Sequence, residues 1–492
     1  MLFNSLQFAI FLPAVVALYF AFPRRGRTPL LLAASCVFYM AFIPAYILIL
    51  AVTIAIDYAA GIWLERTTGR TRRAWLILSI VATCAVLFAF KYFRFFTDSV
   101  VGVAGAFGWN LQGPAFTIIL PIGLSFHTFQ SLSYVIEVYY HRQKAEHDFV
   151  TYATYVMFFP QLVSGPIERP QHLLHQFQEH HHYDHERVTS GLKRIAWGLF
   201  KKVVVADRLA LYVNDVYAAP SHFNGLQLTL ATLFFAYQIY CDFSGYCDIA
   251  IGSARVLGFR LMENFRTPYR SRSIAEFWQR WHISLSTWFR DYVFLKLSFV
   301  LSRRLDATRW LSAHTDVLTY AASIMITMLL AGLWHGANWT YVVWGALLGT
   351  YLVLGVLTKR VRNRAFRRLG SRRQGALRSV AAMGLTFSLI CIAWMVFRAA
   401  TISDAWYILT HFWRGWDLTA VGTERFLLRQ MPVAVLSIVV LECGQWLHER
   451  RSLACRLIWL PTMLRWPAYA ALALGVALFG VYTKSPFIYF QF

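Results

Sequence analysis

The sequence predicts an all-α integral membrane protein of about eleven transmembrane helices, with additional re-entrant or interfacial helices. Of its 492 residues, 58% are hydrophobic and only 14% are charged, whereas about a quarter of the residues in a soluble domain are charged. Apolar runs of about 18 or more residues recur from end to end, and each is long enough to cross roughly 30 Å of hydrocarbon. These features indicate one helical bundle in a bilayer.

The position of the positive charge predicts how the chain is oriented. The formal net charge is +23, and the densest basic stretch, Lys359–Arg378, contains nine Lys or Arg and no acid. The segment Thr97–Ala115 contains neither Lys nor Arg. Because basic loops stay in the cytoplasm, we expect the first stretch inside and the second in the periplasm. A nucleic-acid-binding role is disfavoured, since no recognition motif accompanies the charge.

The apolar runs give the predicted spans in order. The first 22 residues are apolar and are followed by basic Arg24 and Arg25, which is typical of a first transmembrane helix and opposite to a signal peptide. Segments after Tyr152 are interrupted by charge, as in short re-entrant or interfacial helices packed within protein. The other predicted spans and helix pairs are Thr28–Leu64 with a break near Pro44, Trp75–Phe96, Phe116–Tyr140, Val317–Leu357 with a central break, Ser379–Phe397, Met431–Leu447 and Trp466–Thr483.

The first candidate site surrounds His335, which lies between two apolar runs and follows Trp334 directly. Polar groups within the membrane are costly and usually functional. An imidazole acts as a base near neutral pH, and Asn338 can hydrogen-bond a developing oxyanion or a ligand. Alternatively, His335 merely satisfies a helix break, and spacing alone does not decide between the two.

The second candidate site is the block Glu276–Tyr292, in which aromatic residues alternate with polar ones. Helical spacing predicts Trp278, Trp281, Leu285 and Trp288 on one stripe. One interpretation is an interfacial amphipathic helix with an aromatic belt. The other is a helix that lines a ligand site. Its candidate residues are Arg280, Trp281, His282 and Arg290, with His282 facing His335 and the arginines meeting phosphates.

A third cluster contains Asp242 and Asp248, which are six residues apart and do not share one helix face. A catalytic carboxylate pair is therefore disfavoured. We expect these carboxylates to pair with arginines, and a role in shaping the site is the second interpretation.

No metal site is predicted. The seven cysteines contain no CxxC pair and mostly lie in apolar stretches, which is typical of small buried hydrophobic residues. The histidines at 180–182 and 185 lie in a polar loop that contains acids. A solvated loop explains them better than a metal site does.

Taken together, these segments resemble the membrane-bound O-acyltransferase (MBOAT) family, and within it the branch that includes alginate O-acetyltransferase membrane subunits. The resemblance covers nearly the whole chain, and so many motifs in the same order are highly specific. The motifs are Phe3–Ser5, Leu120–Gln130, Phe158–Ile167, Gly198–Lys202, the Asp242 cluster, Asn264–Phe265, Trp278–Tyr292, Trp334–Asn338 and Phe487–Phe492.

The resemblance implies the roles that spacing leaves open. His335 matches the family's near-invariant histidine and His282 its second histidine, so both are candidate catalytic residues. Candidate substrate-binding residues are Trp334, Asn338, Arg280, Trp281, Arg290 and Asp242. The implied fold is a ring of helices around a central tunnel, as a single domain with N-terminal helices at 1–150, a catalytic core at 151–357 and C-terminal helices at 358–492.

The implied activity is O-acetylation of a cell-surface or exported polysaccharide from the bacterial inner membrane. Acetyl-CoA would enter as a substrate from the cytoplasm, with no bound cofactor. The acetyl group would leave on the opposite face, to a periplasmic SGNH-type acetyltransferase partner or to a polymer.

One segment departs from the family pattern. Relatives commonly continue after Tyr292 into a Gly-Gly-Asn-Arg loop, whereas this chain reads Leu295–Arg304 without it. The acceptor polymer is therefore open. The rival function is a polysaccharide exporter or flippase, which needs a polar conduit but no catalytic histidine.

Overall fold

The structure is a computed structural model that describes residues 1–113, 121–306, 315–359, 361, 364, 372–417, 430–449, 462–482 and 487–488. Within these ranges the chain is helical and contains no β-strand. The all-α prediction is confirmed.

The chain forms two compact units. The first comprises Met1–Leu199 and Tyr246–Met262, and the second comprises Phe200–Gly245 and Glu263–Phe492. The three-part division of a single domain stays a prediction.

The first unit begins with helices that follow one another through short connections. Ser5 starts the first of them, because its side chain accepts a hydrogen bond from the Phe8 amide. The helices are α1 (Leu6–Ala21), α2 (Arg24–Met40), α3 (Ile47–Arg66), α4 (Gly69–Leu87), α5 (Phe93–Ala106), α6 (Leu124–Tyr139), α7 (Phe149–Met157), α8 (Pro170–Leu173) and α9 (His185–Leu199).

The second unit contains the candidate site. Its first long helix, α11, starts in this unit and ends in the other one. The helices are α10 (Asp207–Ala218), α11 (Gly225–Leu257), α12 (Ile274–Arg280), α13 (Ile283–Phe289), α14 (Leu295–Asp306), α15 (Thr315–His335), α16 (Trp339–Leu357), α17 (Arg372–Arg398), α18 (Ile402–His411), α19 (Met431–Glu449) and α20 (Thr462–Phe479).

Five helical segments among the described residues are long and apolar enough to cross a membrane. These candidate spans are Pro44–Arg66, Gly69–Ala106, Thr315–His335, Trp339–Leu357 and Leu377–Arg398. Shorter apolar helices occupy Leu6–Ala21, Met431–Leu447 and Tyr469–Phe479. The protein is therefore a multi-pass membrane protein, while the figure of about eleven crossings is not confirmed.

The predicted breaks are confirmed and one predicted loop is wrong. A 3₁₀ turn at Pro44–Tyr46 separates α2 from α3, and residues 336–338 separate α15 from α16. The segment Thr97–Ala115 was expected to be a loop, but α5 continues through Ala106. A π-helical turn at Phe88–Tyr92 links α4 to α5 without ending the helix.

Helices α15 and α16 form a hairpin that approaches closely at two glycines. A Cβ atom on Gly332 would lie 2.2 Å from the Tyr341 carbonyl oxygen, and one on Gly345 would lie 2.3 Å from the Met328 carbonyl oxygen. Only glycine permits this backbone approach. The close contact fixes the end of α15, where His335 lies.

Candidate active site

His335 is the last residue of α15 and is almost fully buried, with 4% of its surface exposed. Its ring lies edge-on to three aromatic rings, with centroid distances of 5.0 Å to Trp334, 5.1 Å to Trp344 and 5.3 Å to Phe397. These neighbours come from α15, α16 and α17. The imidazole is therefore held at the hairpin turn inside an aromatic enclosure.

His282 lies between α12 and α13 and has no exposed surface. Its backbone is left-handed, with a φ of 43°, a conformation that is uncommon for a residue other than glycine. The turn ends one helix at Arg280 and starts the next at Ile283. The prediction of one continuous helical stripe through this block is therefore wrong, and the break is what turns His282 into the interior.

Asn264 defines the tautomer of His282. The Asn264 Oδ1 atom accepts hydrogen bonds from the Ser284 amide (3.0 Å) and the Ser284 hydroxyl (3.0 Å), so it is the oxygen of that amide group. His282 Nδ1 lies 3.2 Å from the same oxygen and must be the donor. In the neutral ring, Nε2 then carries the lone pair that can accept a proton.

Trp334 contacts both histidines. Its ring centroid is 6.0 Å from that of His282 and 5.0 Å from that of His335. Burial lowers the pKa of His282 well below its ordinary value, and the charge of His335 lowers it further. The two imidazoles are thus close enough to interact electrostatically.

The other predicted aromatic residue, Trp281, belongs to the core beside this pair. It is 1% exposed and stacks on Phe277 with a centroid distance of 5.4 Å. Trp394 lies 5.2 Å from Trp281 and stacks on Trp344 at 5.9 Å. Trp281 therefore supports the enclosure of His335 through two further indoles. Its contact with a substrate stays a prediction.

The two candidate arginines have protein partners. Arg280 pairs with Glu276 one turn earlier at 2.7 Å, and Glu449 lies 3.9 Å away. Arg290 pairs with the neighbouring Asp291 at 2.8 Å and is exposed. A phosphate ligand would have to compete with these carboxylates. A phosphate would displace the carboxylate of Arg290, the more exposed of the two, at a lower cost in free energy, because an exposed ion pair is weak.

Asn338 starts α16. Its Oδ1 atom accepts from the Thr340 amide (3.1 Å), and its Nδ2 group donates to the Ala400 carbonyl oxygen (3.0 Å). The side chain therefore holds the turn after His335 in place. Its role in ligand binding stays a prediction.

Asp242 pairs with a lysine, so the arginine predicted for it is wrong. Lys202 Nζ lies 2.5 Å from Asp242 and 2.9 Å from Asp207, and the Ile488 amide donates to Asp242 at 2.7 Å. All three ionisable side chains are buried. Asp248 does pair with an arginine, Arg194, at 2.9 Å.

The lysine–aspartate cluster supports the site through Phe243, the residue after Asp242. The Phe243 ring meets His282 edge-on at 4.6 Å. The structure thus gives Asp242 a supporting position beside His282, and its role in substrate binding stays a prediction. Sequence reasoning missed Lys202 and Asn264 as partners, although both lie in motifs that carried the family resemblance.

Among the described residues, no group of three His, Cys, Asp or Glu side chains is arranged to hold a metal ion. In the histidine-rich loop, His180 Nδ1 lies 2.7 Å from His182 Nε2. One ring nitrogen of each is used in that hydrogen bond.

The family model described as MBOAT, membrane-bound O-acyltransferase family, matches residues 140–394. The chain is 37% identical over 447 residues to the probable alginate O-acetylase AlgI of Pseudomonas aeruginosa, covering 90% of this chain and 81% of that protein. Its counterpart in Pseudomonas putida is 32% identical over the full length of both chains. A peptidoglycan O-acetyltransferase of Helicobacter pylori is 29% identical, covering 83% of this chain and 79% of that protein. The matched range contains His282 and His335.

Proposed function

The chain belongs to the membrane-bound O-acyltransferase family and is an O-acyltransferase, and we propose that it O-acetylates an exported or cell-surface polysaccharide from the bacterial inner membrane. Acetyl-CoA is the proposed donor, and an alginate-like polymer is the proposed acceptor. The names of the relatives support the acceptor class, because they include alginate and peptidoglycan O-acetylating proteins.

The observation that carries the proposal is the pair of buried histidines that share Trp334 as a neighbour. Attack of a hydroxyl on a thioester requires removal of the hydroxyl proton. His335 takes this proton as the oxygen bonds to the acetyl carbon. The carbon–sulfur bond then breaks, and the imidazolium returns the proton to the departing thiolate. His282 supports His335 by its position on the other side of Trp334.

Burial suits this chemistry. The aromatic enclosure of Trp334, Trp344 and Phe397 excludes water from His335, so the thioester is protected from hydrolysis. An exporter or flippase needs no such imidazole pair, and the family match gives it no support.

The proposed route runs from the cytoplasm to the periplasm. Acetyl-CoA enters from the face that carries the basic loops, and the acetyl group leaves to a periplasmic SGNH-type acetyltransferase with a serine nucleophile, or directly to the polymer. The charge asymmetry between Lys359–Arg378 and Thr97–Ala115 supports this orientation.

Radiolabelled acetyl-CoA tests the function. Purified protein in nanodiscs is incubated with the label and with alginate, peptidoglycan or acetyl-free cellulose, with and without a periplasmic extract. We expect label on a polysaccharide. Transport of unlabelled glycan across proteoliposomes, with no acetyl transfer under any condition, would support the exporter instead.

The orientation gives a prediction about accessibility. Single cysteines at Asn110, which is exposed, and at Gly375, where a Cβ meets nothing within 4 Å, are introduced into a cysteine-free variant. A membrane-impermeant maleimide added to intact cells should label the first and spare the second. Equal labelling of both from outside would contradict the orientation.

The basic surface gives a prediction about the donor. Arg290→Glu should raise the KM for acetyl-CoA more than it lowers kcat, because a phosphate contact contributes to ground-state and transition-state binding alike. Arg142→Glu is the matched control, since Arg142 is also exposed, also pairs with a carboxylate, that of Glu137, and lies outside the candidate spans. An unchanged KM in the Arg290 variant would assign this arginine to membrane orientation alone.

A further inference from the structure

A second buried polar cluster lies in the first compact unit, among α3, α4, α6 and α7. Its centre is Asp57 of α3, which has no exposed surface although it lies within the candidate span Pro44–Arg66. An ionisable residue at such a place is costly and needs a physical reason.

The partners of Asp57 are hydroxyl groups. Ser79 of α4 donates to Asp57 Oδ1 at 2.6 Å. Thr83, one turn further along α4, lies 3.0 Å from Oδ1 and 3.2 Å from Oδ2. The Ser131 hydroxyl of α6 is buried nearby and has no hydrogen-bond partner among the described residues. Among the residues that the structure describes, no Lys, Arg or His forms an ion pair with Asp57.

The cluster continues along the contact between α3 and α6. Thr53 precedes Asp57 by one turn, and its hydroxyl lies 3.3 Å from His127 Nε2, one turn before Ser131. One turn after Asp57, a Cβ on Gly61 would lie 2.6 Å from the Tyr134 hydroxyl. Polar groups of the two helices therefore face each other over three successive turns.

In the described part of the chain, the titratable groups around Asp57 supply no fixed positive charge. They are Cys84 on α4, His127 and Tyr134 on α6, and Tyr152 on α7. His127 is 1% exposed, and its Nδ1 atom has no hydrogen-bond partner among the described residues. A protonated imidazole there would leave a charged N–H group buried without an acceptor, so this ring is neutral.

An ionised Asp57 would be a lone negative charge in the membrane interior, which is energetically costly. A protonated carboxyl avoids that cost and fits the partners. Oδ1 accepts from Ser79, while the acid O–H at Oδ2 donates to the hydroxyl of Thr83. We propose that Asp57 is an intramembrane proton-binding site, which holds its proton at neutral pH and couples proton binding to the packing of α3 against α4 and α6.

Infrared difference spectroscopy of the full-length protein in nanodiscs tests this site. At pH 7 the spectrum of the wild type minus that of Asp57→Asn should contain the carbonyl band of a protonated carboxylic acid. The subtraction removes the bands of other buried carboxyl groups whose pKa is raised, such as Asp207. The matched control is Asp215→Asn, which removes an exposed carboxylate outside the candidate spans, and its difference spectrum should contain no such band. A wild-type minus Asp57→Asn spectrum without the band would overturn the proposal. So would a wild-type band that appears only when sodium is replaced by choline, because that result assigns the site to a bound sodium ion.

A second measurement covers the case in which Asp57→Asn does not fold. Ser79→Ala removes the donor to Oδ1, so the carbonyl band should move to higher frequency. Ser388→Ala should not move it, because Ser388 is exposed and bonds within its own helix. In the wild type, the melting temperature should fall as the pH rises through the value at which the carbonyl band disappears. The reason is that ionisation of Asp57 places a negative charge between α3 and its neighbours α4 and α6. An unmoved band in Ser79→Ala, or a melting temperature independent of that transition, would contradict the proposal.

Discussion

Replacing His335 by alanine should reduce kcat/KM for acetyl transfer by a factor equivalent to about 3–5 kcal/mol of transition-state stabilisation. The reason is the loss of the base that takes the hydroxyl proton. The substitution also removes three edge-on aromatic contacts at the end of α15 and leaves a small cavity. The melting temperature in detergent should therefore fall modestly, while the protein still accumulates in the membrane.

The matched control for this prediction is His222→Ala, which removes an exposed histidine from a 3₁₀ turn of the same unit. It should leave both the activity and the melting temperature unchanged. A His335→Ala protein that no longer accumulates in the membrane would favour the alternative in which His335 only satisfies the helix break.

The largest expected effect on stability is that of Lys202→Met. Lys202 is the cation between Asp207 and Asp242, all three buried. Removing one partner of a buried ion pair typically costs about 3–5 kcal/mol, because the remaining charge is uncompensated. Unfolding in mixed detergent micelles should show this loss. Lys193→Met, at an exposed position, should show almost none.

A second substitution and the pH separate this charge effect from a packing effect. The double variant Lys202→Met with Asp207→Asn has one buried carboxyl group fewer than Lys202→Met alone. It should therefore recover part of the lost free energy of unfolding. Burial raises the pKa of Asp207, and the Lys202 charge opposes this rise. An acid whose folded pKa is raised contributes stability that is lost as the pH rises through that pKa. Stability of Lys202→Met should therefore fall more steeply with rising pH than that of the wild type. A loss that is the same at all pH values would indicate packing alone.

The apolar pattern predicted the helices where hydrophobicity was continuous, and it failed where helices pass through a local irregularity. The breaks at Pro44 and after His335 were predicted because proline, glycine and a polar run mark them in the sequence. The π-helical turn at Phe88–Tyr92 has no such marker, so the continuation of α5 to Ala106 was missed. The turn at His282 was missed because its left-handed residue is not a glycine.

The sequence predicted which residues belong to the candidate site, but it did not predict which of them are in contact. His335 and His282 stand out because they are polar groups in apolar or aromatic surroundings. The partners that orient them, Asn264 and Trp334, depend on which helices meet, and no local periodicity contains that information. The same reason explains why the partner of Asp242 was not predicted. Its need for a counter-charge follows from burial, but the identity of Lys202 as its partner follows only from the fold.

The most direct test of the central claim, that His335 and His282 serve one acyl-transfer step, is a double-mutant cycle on kcat/KM for acetyl-CoA. Asparagine replaces His282, because it tolerates the left-handed φ of 43° and keeps a donor for Asn264. Alanine replaces His335. Groups that act as a unit give losses that are less than additive. The account predicts a double variant about as slow as His335→Ala alone, with all three variants folded. Fully multiplied losses, or a folded His335→Ala protein with wild-type activity, would contradict it.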